Sequence, residues 1–379
     1  MTKNEPNQAN SLLTENQARA LTGVILEMFP KLKADIEKIF GVNFPLKANK
    51  ATEPPKINKD IKVAVNVVDN QPRNLIIYGA PGTGKSYMLN ERVQKYFKND
   101  YLYTRITFHS NYSYRNFVGS YKPKPIYRDS DKPLYKSDLI TEMDHRKEPL
   151  IEYAFEPGPF LTMLQRAIEN PEHNFVIIIE ELNRANTASV FGDVFQLLDR
   201  KHSGESEYAT ALEPSAMDYL KSIGIEDTEI KIPRNLYLWA TMNNADQGVL
   251  PLDSAFKRRW AFEHISLNKN EGARAGHFIK LSFLDQEDAL EWNKFRNLIN
   301  EKLIDLGIQE DKLIGPFFLS EAELKNSEVI KHKLFLYLKD DVLRYKSGIF
   351  KSDLRTFSQI CEKYDRKKNV FDDNINWLE

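Results

Sequence analysis

Residues Gly79–Ser86 read Gly-Ala-Pro-Gly-Thr-Gly-Lys-Ser. Their types and spacing match the phosphate-binding pattern G-x-x-x-x-G-K-[ST] at every position. A triphosphate is a dense negative charge that needs many donors at close range. Gly79, Gly82 and Gly84 let the backbone curl so that successive N–H groups point inward. Lys85 supplies a point charge to the β- and γ-phosphates, and the Ser86 hydroxyl can ligate Mg²⁺. The expected cradle is Gly79, Ala80, Pro81, Gly82, Thr83, Gly84, Lys85, Ser86 and Tyr87. The competing reading is a glycine-rich turn that binds nothing. Context argues against it: an apolar run, Asn74–Tyr78, precedes the loop, and Ser86–Phe97 follows with Leu89, Val93, Tyr96 and Phe97 at a helical period. The helix N-terminus would then face the phosphates.

Hydrolysis needs more than a cradle. Phe175–Glu181 is an apolar run ending in two carboxylates, Glu180 and Glu181. Metal-assisted phosphoryl transfer uses one acid near Mg²⁺ and one near the attacking water. Glu180 is assigned to the Mg²⁺ hydration shell and Glu181 to the general base; a solvated acidic turn is the bland alternative. Asn183 and Arg184 follow at once, and could bridge neighbouring subunits or cap the next helix. Asn243, just beyond the run Leu236–Ala240, could fix the lytic water and sense the γ-phosphate. Asp246 is a second polar candidate at the nucleotide, with an Asx turn as its alternative. Leu252–Trp260 reads as a short helix ending in Lys257, Arg258 and Arg259. The helix dipole alone favours cations there. Yet the site still lacks a charge to neutralise the γ-phosphate in the transition state, and an arginine finger, Arg258 or Arg259, would supply it from a neighbouring subunit.

The elements that must position these groups can be read from periodicity. Candidate strands are Asn74–Tyr78, Tyr103–Phe108, Asn174–Ile179, Leu236–Thr241 and Ala261–Ile265. Near-continuous apolar runs alternating with helical patterns suit a parallel sheet covered on both faces. Phe191, Val194, Phe195 and Leu198 predict a helix after the third run. Beyond residue 270 the pattern is helical. Trp292, Phe295, Ile299, Leu303 and Leu306 share a face that Gly307 ends, and Leu334, Leu336, Leu338 and Leu343 belong to a later segment. The expected organisation is an N-terminal helix (Glu15–Phe40) and linker over 1–73, an α/β nucleotide-binding domain over 74–268, and an α-helical lid over 269–379.

Composition sets the remaining bounds. Lys+Arg 53 against Asp+Glu 54 leaves a net charge of −1, so no global basic excess announces a nucleic-acid binder. The single cysteine, Cys361, reads as a core filler. No apolar run approaches the ~18 residues needed to span a membrane. The polar N-terminus has no signal-peptide pattern, so the cytoplasm is the expected compartment.

With these residues in place the chain resembles the McrB-like AAA+ family, the nucleotide-hydrolysing motors of modification-dependent restriction systems. The likeness is carried in order by Gly79–Ser86, Ile106–Gly119, Ile177–Asn186, Leu236–Trp260 and Leu313–Leu319. It implies an AAA+ P-loop NTPase fold, α/β with a parallel sheet sandwiched by helices and followed by a helical lid. It further implies a homo-oligomeric ring, often a hexamer, that hydrolyses GTP or ATP with Mg²⁺ at subunit interfaces and works with a nuclease subunit. By likeness, Lys85 and Ser86 are the phosphate-loop pair, Glu180 and Glu181 the acid pair, Asn243 the first sensor, and Arg258 or Arg259 the finger. The chain carries Glu180 where P-loop proteins usually have Asp, and Asn243-Asn-Ala-Asp-Gln247 where the family usually has Asn-Thr-Ala-Asp-Arg. The choice between GTP and ATP is therefore left open. About 70 residues precede the loop, short for the separate modified-base-reading domain of many relatives. Two alternatives stand beside this reading: a MoxR- or dynein-like ATPase that remodels protein complexes, and a nucleotide-gated scaffold with little turnover.

Residues 112–136 interleave tyrosines (Tyr112, Tyr114, Tyr121, Tyr127, Tyr135) with cations (Arg115, Lys122, Lys124, Arg128, Lys132, Lys136). Stacking rings plus phosphate-seeking charges can hold a single strand, but such mixtures also line subunit interfaces, and Pro123, Pro125 and Pro133 suggest a structured loop. DNA is expected through the complex, with direct contact open. Lys201–Lys231 reads as a polar insertion, and His109 as structural.

Overall fold

Apolar runs without alternation can be satisfied only where both faces of a sheet are covered, and that is where the chain places them. The computed structural model describes residues 68, 70–129, 134, 147–243, 248–284, 290–344 and 346–375, all within the compact unit Val63–Glu379. The Glu15–Phe40 pattern, most of the linker, Asp246 and the 130–133 and 135–146 stretches lie outside the described residues. The seven longer strands are β1 (Asn74–Tyr78), β2 (Tyr103–Thr107), β3 (Gly119–Asp129), β4 (Lys147–Pro157), β5 (Phe175–Glu180), β6 (Leu236–Met242) and β7 (Ala261–His264). Five form one sheet in the order β2-β5-β6-β1-β7, and every neighbouring pair is parallel. The three most apolar runs, β1, β5 and β6, take the centre, whereas the edges β2 and β7 carry the polar residues.

The five expected strands are thus all present, β1 with the expected ends and the other four with one or both ends shifted by a residue. Because the strands are parallel, their C-terminal ends lie along one edge of the sheet, where ligands of such folds bind. Register makes this specific: Tyr78 lies beside Met242, and Glu180 lies beside Thr107. The loops after β1, β5 and β6 therefore meet.

The helix after the first loop runs Lys85–Tyr96 and buries Leu89 and Val93. Two expectations are corrected. The single helix expected over Phe191–Leu198 is two, Thr187–Phe191 and Val194–Leu197. The chain breaks between them at Gly192, whose φ of 48° places it against the Tyr114 ring. The structured loop expected within 112–136 is, as far as Asp129, a strand. β3 pairs antiparallel with β4 from Gly119↔Pro157 to Asp129↔Lys147. Prolines at 123 and 125 hid this strand; a proline tolerates a two-stranded ribbon because its missing N–H can face outward.

The C-terminal portion is helical and has its own apolar core. Trp292, Phe295, Ile299 and Leu303 of the helix Trp292–Asp305 pack with Leu334, Phe335, Leu338, Phe350 and Phe371. The segment Ile330–Phe335 and Tyr337–Leu343 is wound in wide π-type turns. Cys361 is a free thiol on the helix Phe357–Asp365, and burial pushes it up from its ordinary value, as suits a packing residue. No helix among the described residues is long and apolar enough to cross a membrane.

This helical portion touches the phosphate loop directly. The Gly315 N–H donates to the Pro81 carbonyl (2.9 Å) and the Phe317 N–H to the Gly82 carbonyl (2.7 Å). Behind them, Asn300 bonds both the N–H and the carbonyl of Ile314, and the fully buried Arg296 binds Asn268, Glu271 and the Ile314 carbonyl. The two backbones approach so closely that only glycine fits. A Cβ at Gly315 would lie 2.6 Å from the Pro81 carbonyl oxygen, and one at Gly82 would lie 2.6 Å from the Phe318 Cα. Overpacking a contact made of backbone on both sides leaves nothing flexible to yield. Gly315→Ala is expected to lower stability by at least about 2 kcal/mol in denaturant unfolding and to weaken nucleotide binding. An unchanged midpoint and affinity would contradict the contact.

Candidate active site

The phosphate loop is held by its own side chains. Thr83 Oγ1 donates to the Ala80 carbonyl, and the Lys85 ammonium donates to the Gly79 and Ala80 carbonyls, each at 2.9 Å. Gly84 is in the left-handed region (φ 89°) and opens the helix with no side chain capping it. The first-turn N–H groups have no intrahelical acceptor, so they and the dipole offer an anion seat. Tyr87, at the start of this helix, is 64% exposed, and its hydrogen bond to Glu91 pushes the phenol up from its ordinary value.

Glu180 ends β5 and is the meeting point of four elements. Its Oε2 accepts from Ser86 Oγ at 2.9 Å and from Thr241 Oγ1 of β6. Its Oε1 accepts from Arg105 of β2. The hydroxyl of Ser86 and the carboxylate of Glu180 are hard oxygen donors placed side by side. That donor set fits Mg²⁺, which takes one or two protein oxygens and fills its remaining positions with water and phosphate. Ser86 and Glu180 are the residues that would hold it. Among the described residues no group of three or more Asp, Glu, His or Cys side chains is arranged to hold a metal ion by itself, as that mode of binding allows.

Glu181 is splayed away from its neighbour by the backbone. It has φ 57° and ψ 45°, a left-handed conformation that a non-glycine residue enters at a cost. The turn sends its carboxylate toward Asn243, whose Nδ2 donates to Oε1 at 3.1 Å. Arg184 reaches back to Oε2 at 3.3 Å. Adjacent acids therefore point to different places, one at Ser86 of the loop and one at Asn243. Asn183 neither caps a helix nor faces outward. It is 3% exposed and its Nδ2 holds the Asn243 carbonyl at 2.7 Å, which fixes the backbone of Asn243.

The two candidate fingers are in different situations. Arg259 is tied down within its own chain. It donates to Asp199 at 3.0 and 2.7 Å, to the Ala255 carbonyl, and its guanidinium lies 4.2 Å from the Phe195 ring centroid. Arg258 is exposed. It borders a cavity of about 760 Å³ that Tyr78, Asn183, Met242 and Lys257 also line. Residues Gly79–Ser86 are not among its lining. His109 supplies its carbonyl to the Tyr112 N–H and packs edge-on to the Tyr112 ring, a structural position.

Three contributors escaped the sequence reading. Thr241 is the one aliphatic hydroxyl in the run Leu236–Met242, and its place at the C-terminal end of that run was a usable signal. Arg105 and the role of Asn183 left no such mark, because each acts through residues 60 or more positions away.

The hairpin β3–β4 bears on nucleic-acid contact. Its cations are matched across the ribbon by acids: Lys122 pairs with Glu156 (3.0 Å) and Arg128 with Glu148, and Lys124 is in register with Glu152. The opposite face carries Tyr121, Pro123, Pro125 and Tyr127 beside Phe155, Tyr153, Ile151 and Pro149. Cations engaged by neighbouring carboxylates are poor phosphate seekers, so the basic character of this stretch is largely used within the ribbon. Before it, Tyr112 and Tyr114 are pushed up to about 12 by burial.

Comparison with known proteins places this geometry. The family described as "AAA domain (dynein-related subfamily)" matches residues 74–260. The chain is 49% identical over 314 residues, 82% of its length and 91% of the relative's, to the type II restriction enzyme BsuMI component YdiS of Bacillus subtilis (strain 168). It is 27% identical over 235 residues, 61% of its length and 39% of the relative's, to the type IV methyl-directed restriction enzyme EcoKMcrB subunit of Escherichia coli (strain K12).

Strain at Glu181 yields a prediction that separates folding from chemistry. Glycine enters the left-handed region without the Cβ clash, which costs about 1 kcal/mol or more, and the exposed contact with Arg184 contributes little. Glu181→Gly is therefore expected to unfold at equal or higher denaturant than wild type while losing any nucleotide hydrolysis for which the Glu181 carboxylate serves as base. A clear loss of stability would show that the side chain holds the turn.

Proposed function

Because the chain belongs to the McrB-like AAA+ ATPases, we propose that it hydrolyses GTP or ATP with Mg²⁺ at sites shared between the subunits of a ring, as the motor of a restriction complex whose cutting belongs to a separate nuclease subunit. The observation that carries the reading is the division of labour at the end of β5. Glu180 joins the loop serine and Thr241, while Glu181 joins Asn243.

The residues act as follows. The loop N–H groups and Lys85 bind and orient the β- and γ-phosphates. Ser86 and Glu180 would hold the cation, which would supply positive charge to offset the negative charge developing on those phosphates. Glu181 takes the proton from the attacking water, and Asn243, fixed by Asn183, orients both. Arg258, exposed at the end of its short helix, reaches the γ-phosphate of the adjacent subunit as the finger. Arg259 instead anchors that helix through Asp199 and Phe195. The two named relatives belong to restriction enzymes, which supports a nuclease partner and DNA as the complex's target. The neutralised hairpin favours DNA contact elsewhere in that complex.

Measuring GTP and ATP hydrolysis in parallel, across a range of protein concentrations, tests the shared site. The rate per subunit is expected to rise with concentration, and a flat rate across a range in which the ring demonstrably dissociates would rule out a finger acting in trans. Lys85→Ala should abolish turnover; if hydrolysis survived, the active site would lie elsewhere. The two arginines should separate cleanly. Arg258→Ala is expected to cut kcat about 10³-fold at unchanged thermal stability. Arg259→Ala is expected to cost about 2 kcal/mol of stability through its lost ion pair and stacking. The reverse pattern would exchange their roles.

A further inference from the structure

Arg105 lies in none of the nucleotide-binding motifs, yet it holds the acid on which the cation site depends. We propose that Arg105 is a positioning residue for Glu180: it occupies Oε1, and so presents Oε2 to Ser86 and to the cation those two residues bind. The inference rests on reading Glu180 as the acid of the metal site.

The geometry separates the two carboxylate oxygens. Arg105 Nη1 donates to Oε1, while the hydroxyls of Ser86 and Thr241 both meet Oε2. Arg105 is itself fixed, because its Nη2 donates to Asn90 Oδ1 at 3.1 Å. Asn90 belongs to the helix that starts at Lys85, so one guanidinium fork ties the edge strand, the acid and the phosphate-loop helix together. A glutamate arm has one methylene and one rotatable bond more than an aspartate. Untethered, it would sample several positions; held at one oxygen, it presents the other reproducibly. The substitution of Glu for the more usual Asp and the presence of Arg105 are then two halves of one arrangement.

The bland alternative is an incidental ion pair, since exposed pairs contribute little. Glu180 is 13% exposed in its side chain and Arg105 33%, and the carboxylate is already committed to two hydroxyls. An incidental partner would not also be anchored to the neighbouring helix. Charge acts in the opposite direction to orientation, because a cation beside the acid repels a second cation. Arg105 is partly exposed and therefore screened, whereas loss of an orienting outer partner typically costs a metal site 10- to 100-fold in affinity. Orientation is expected to win.

Mn²⁺, a paramagnetic stand-in for Mg²⁺, allows binding to be read without turnover. Its affinity is measured by electron paramagnetic resonance on the full chain saturated with a non-hydrolysable GTP or ATP analogue. Arg105→Ala is expected to weaken Mn²⁺ binding about tenfold, with analogue affinity in EDTA unchanged. In a Glu180→Asp background the same substitution should change Mn²⁺ affinity less than twofold, because the shorter arm no longer shares an oxygen with Arg105. If Arg105→Ala fails to fold, Arg105→Met keeps the apolar stem and should give the same tenfold loss. Arg105→Lys, a charge without a fork, should stay weakened, since it cannot hold Oε1 and Asn90 together. A change under twofold, a gain in affinity, an equal loss in both backgrounds, or full rescue by lysine would each overturn the proposal. Glu180→Ala tests the premise separately. If it left Mn²⁺ affinity intact, the metal reading of Glu180 would fall, whatever Arg105 does.

Discussion

The carboxylate of Glu180 is the constraint around which the rest of the structure is arranged. It stands at the end of a fully apolar strand, where a charge survives only if its oxygens are met. Three donors meet them, from the phosphate-loop helix, from β6 and from β2. Each is a hydrogen bond to a charged group, a class that contributes about 1.5–3 kcal/mol where buried, less at the partly exposed Arg105. The interaction therefore organises as much as it stabilises. It brings the serine of the loop to an acid that can share a cation with it, and it makes the relative register of β2, β5 and β6 a condition for the site.

The backbone does the complementary work. Glu180 and Glu181 are adjacent in sequence, and in an extended strand they would point to opposite faces. The left-handed turn at Glu181 lets the second carboxylate swing to Asn243 instead. Local strain thus places two like charges on two separate sets of partners, and keeps them apart. Asn183 secures the receiving end by holding the Asn243 carbonyl. The backbone of Asn243 is thus held by a buried amide.

The C-terminal helical portion does not stand off from this apparatus. Its Gly315–Phe318 segment lies on the phosphate loop, backbone against backbone, and is braced by Arg296 and Asn300. Carbonyls of Pro81 and Gly82, which a tightly curled loop would otherwise leave to water, are satisfied by that segment. Any change in the loop on binding phosphate must be felt by the helical portion, and the reverse holds equally.

Local chemistry determined a great deal by itself. The loop Gly79–Ser86, the five strands of the sheet and the helix that Gly307 ends were all legible, because each is written in near neighbours: turn residues, apolar runs, a 3.6-residue period. The acid pair and Asn243 were legible as strand-end polar residues. Other features depend on partners far along the chain and leave no local trace. Arg105 and Glu180 are 75 positions apart, and Gly82 meets Gly315 from the far end of the fold. The hairpin β3–β4 was hidden because proline is a poor local signal for a strand that only cross-ribbon pairing makes possible. Arg258 and Arg259 are the clearest case. As neighbours of one type they are equivalent in sequence, and only the placement of Asp199 and Phe195 engages one and leaves the other exposed. Sequence settles which groups are available, because covalent order dictates local geometry. Which of them meet, and through which atom, is decided by the register of strands and the packing of distant segments.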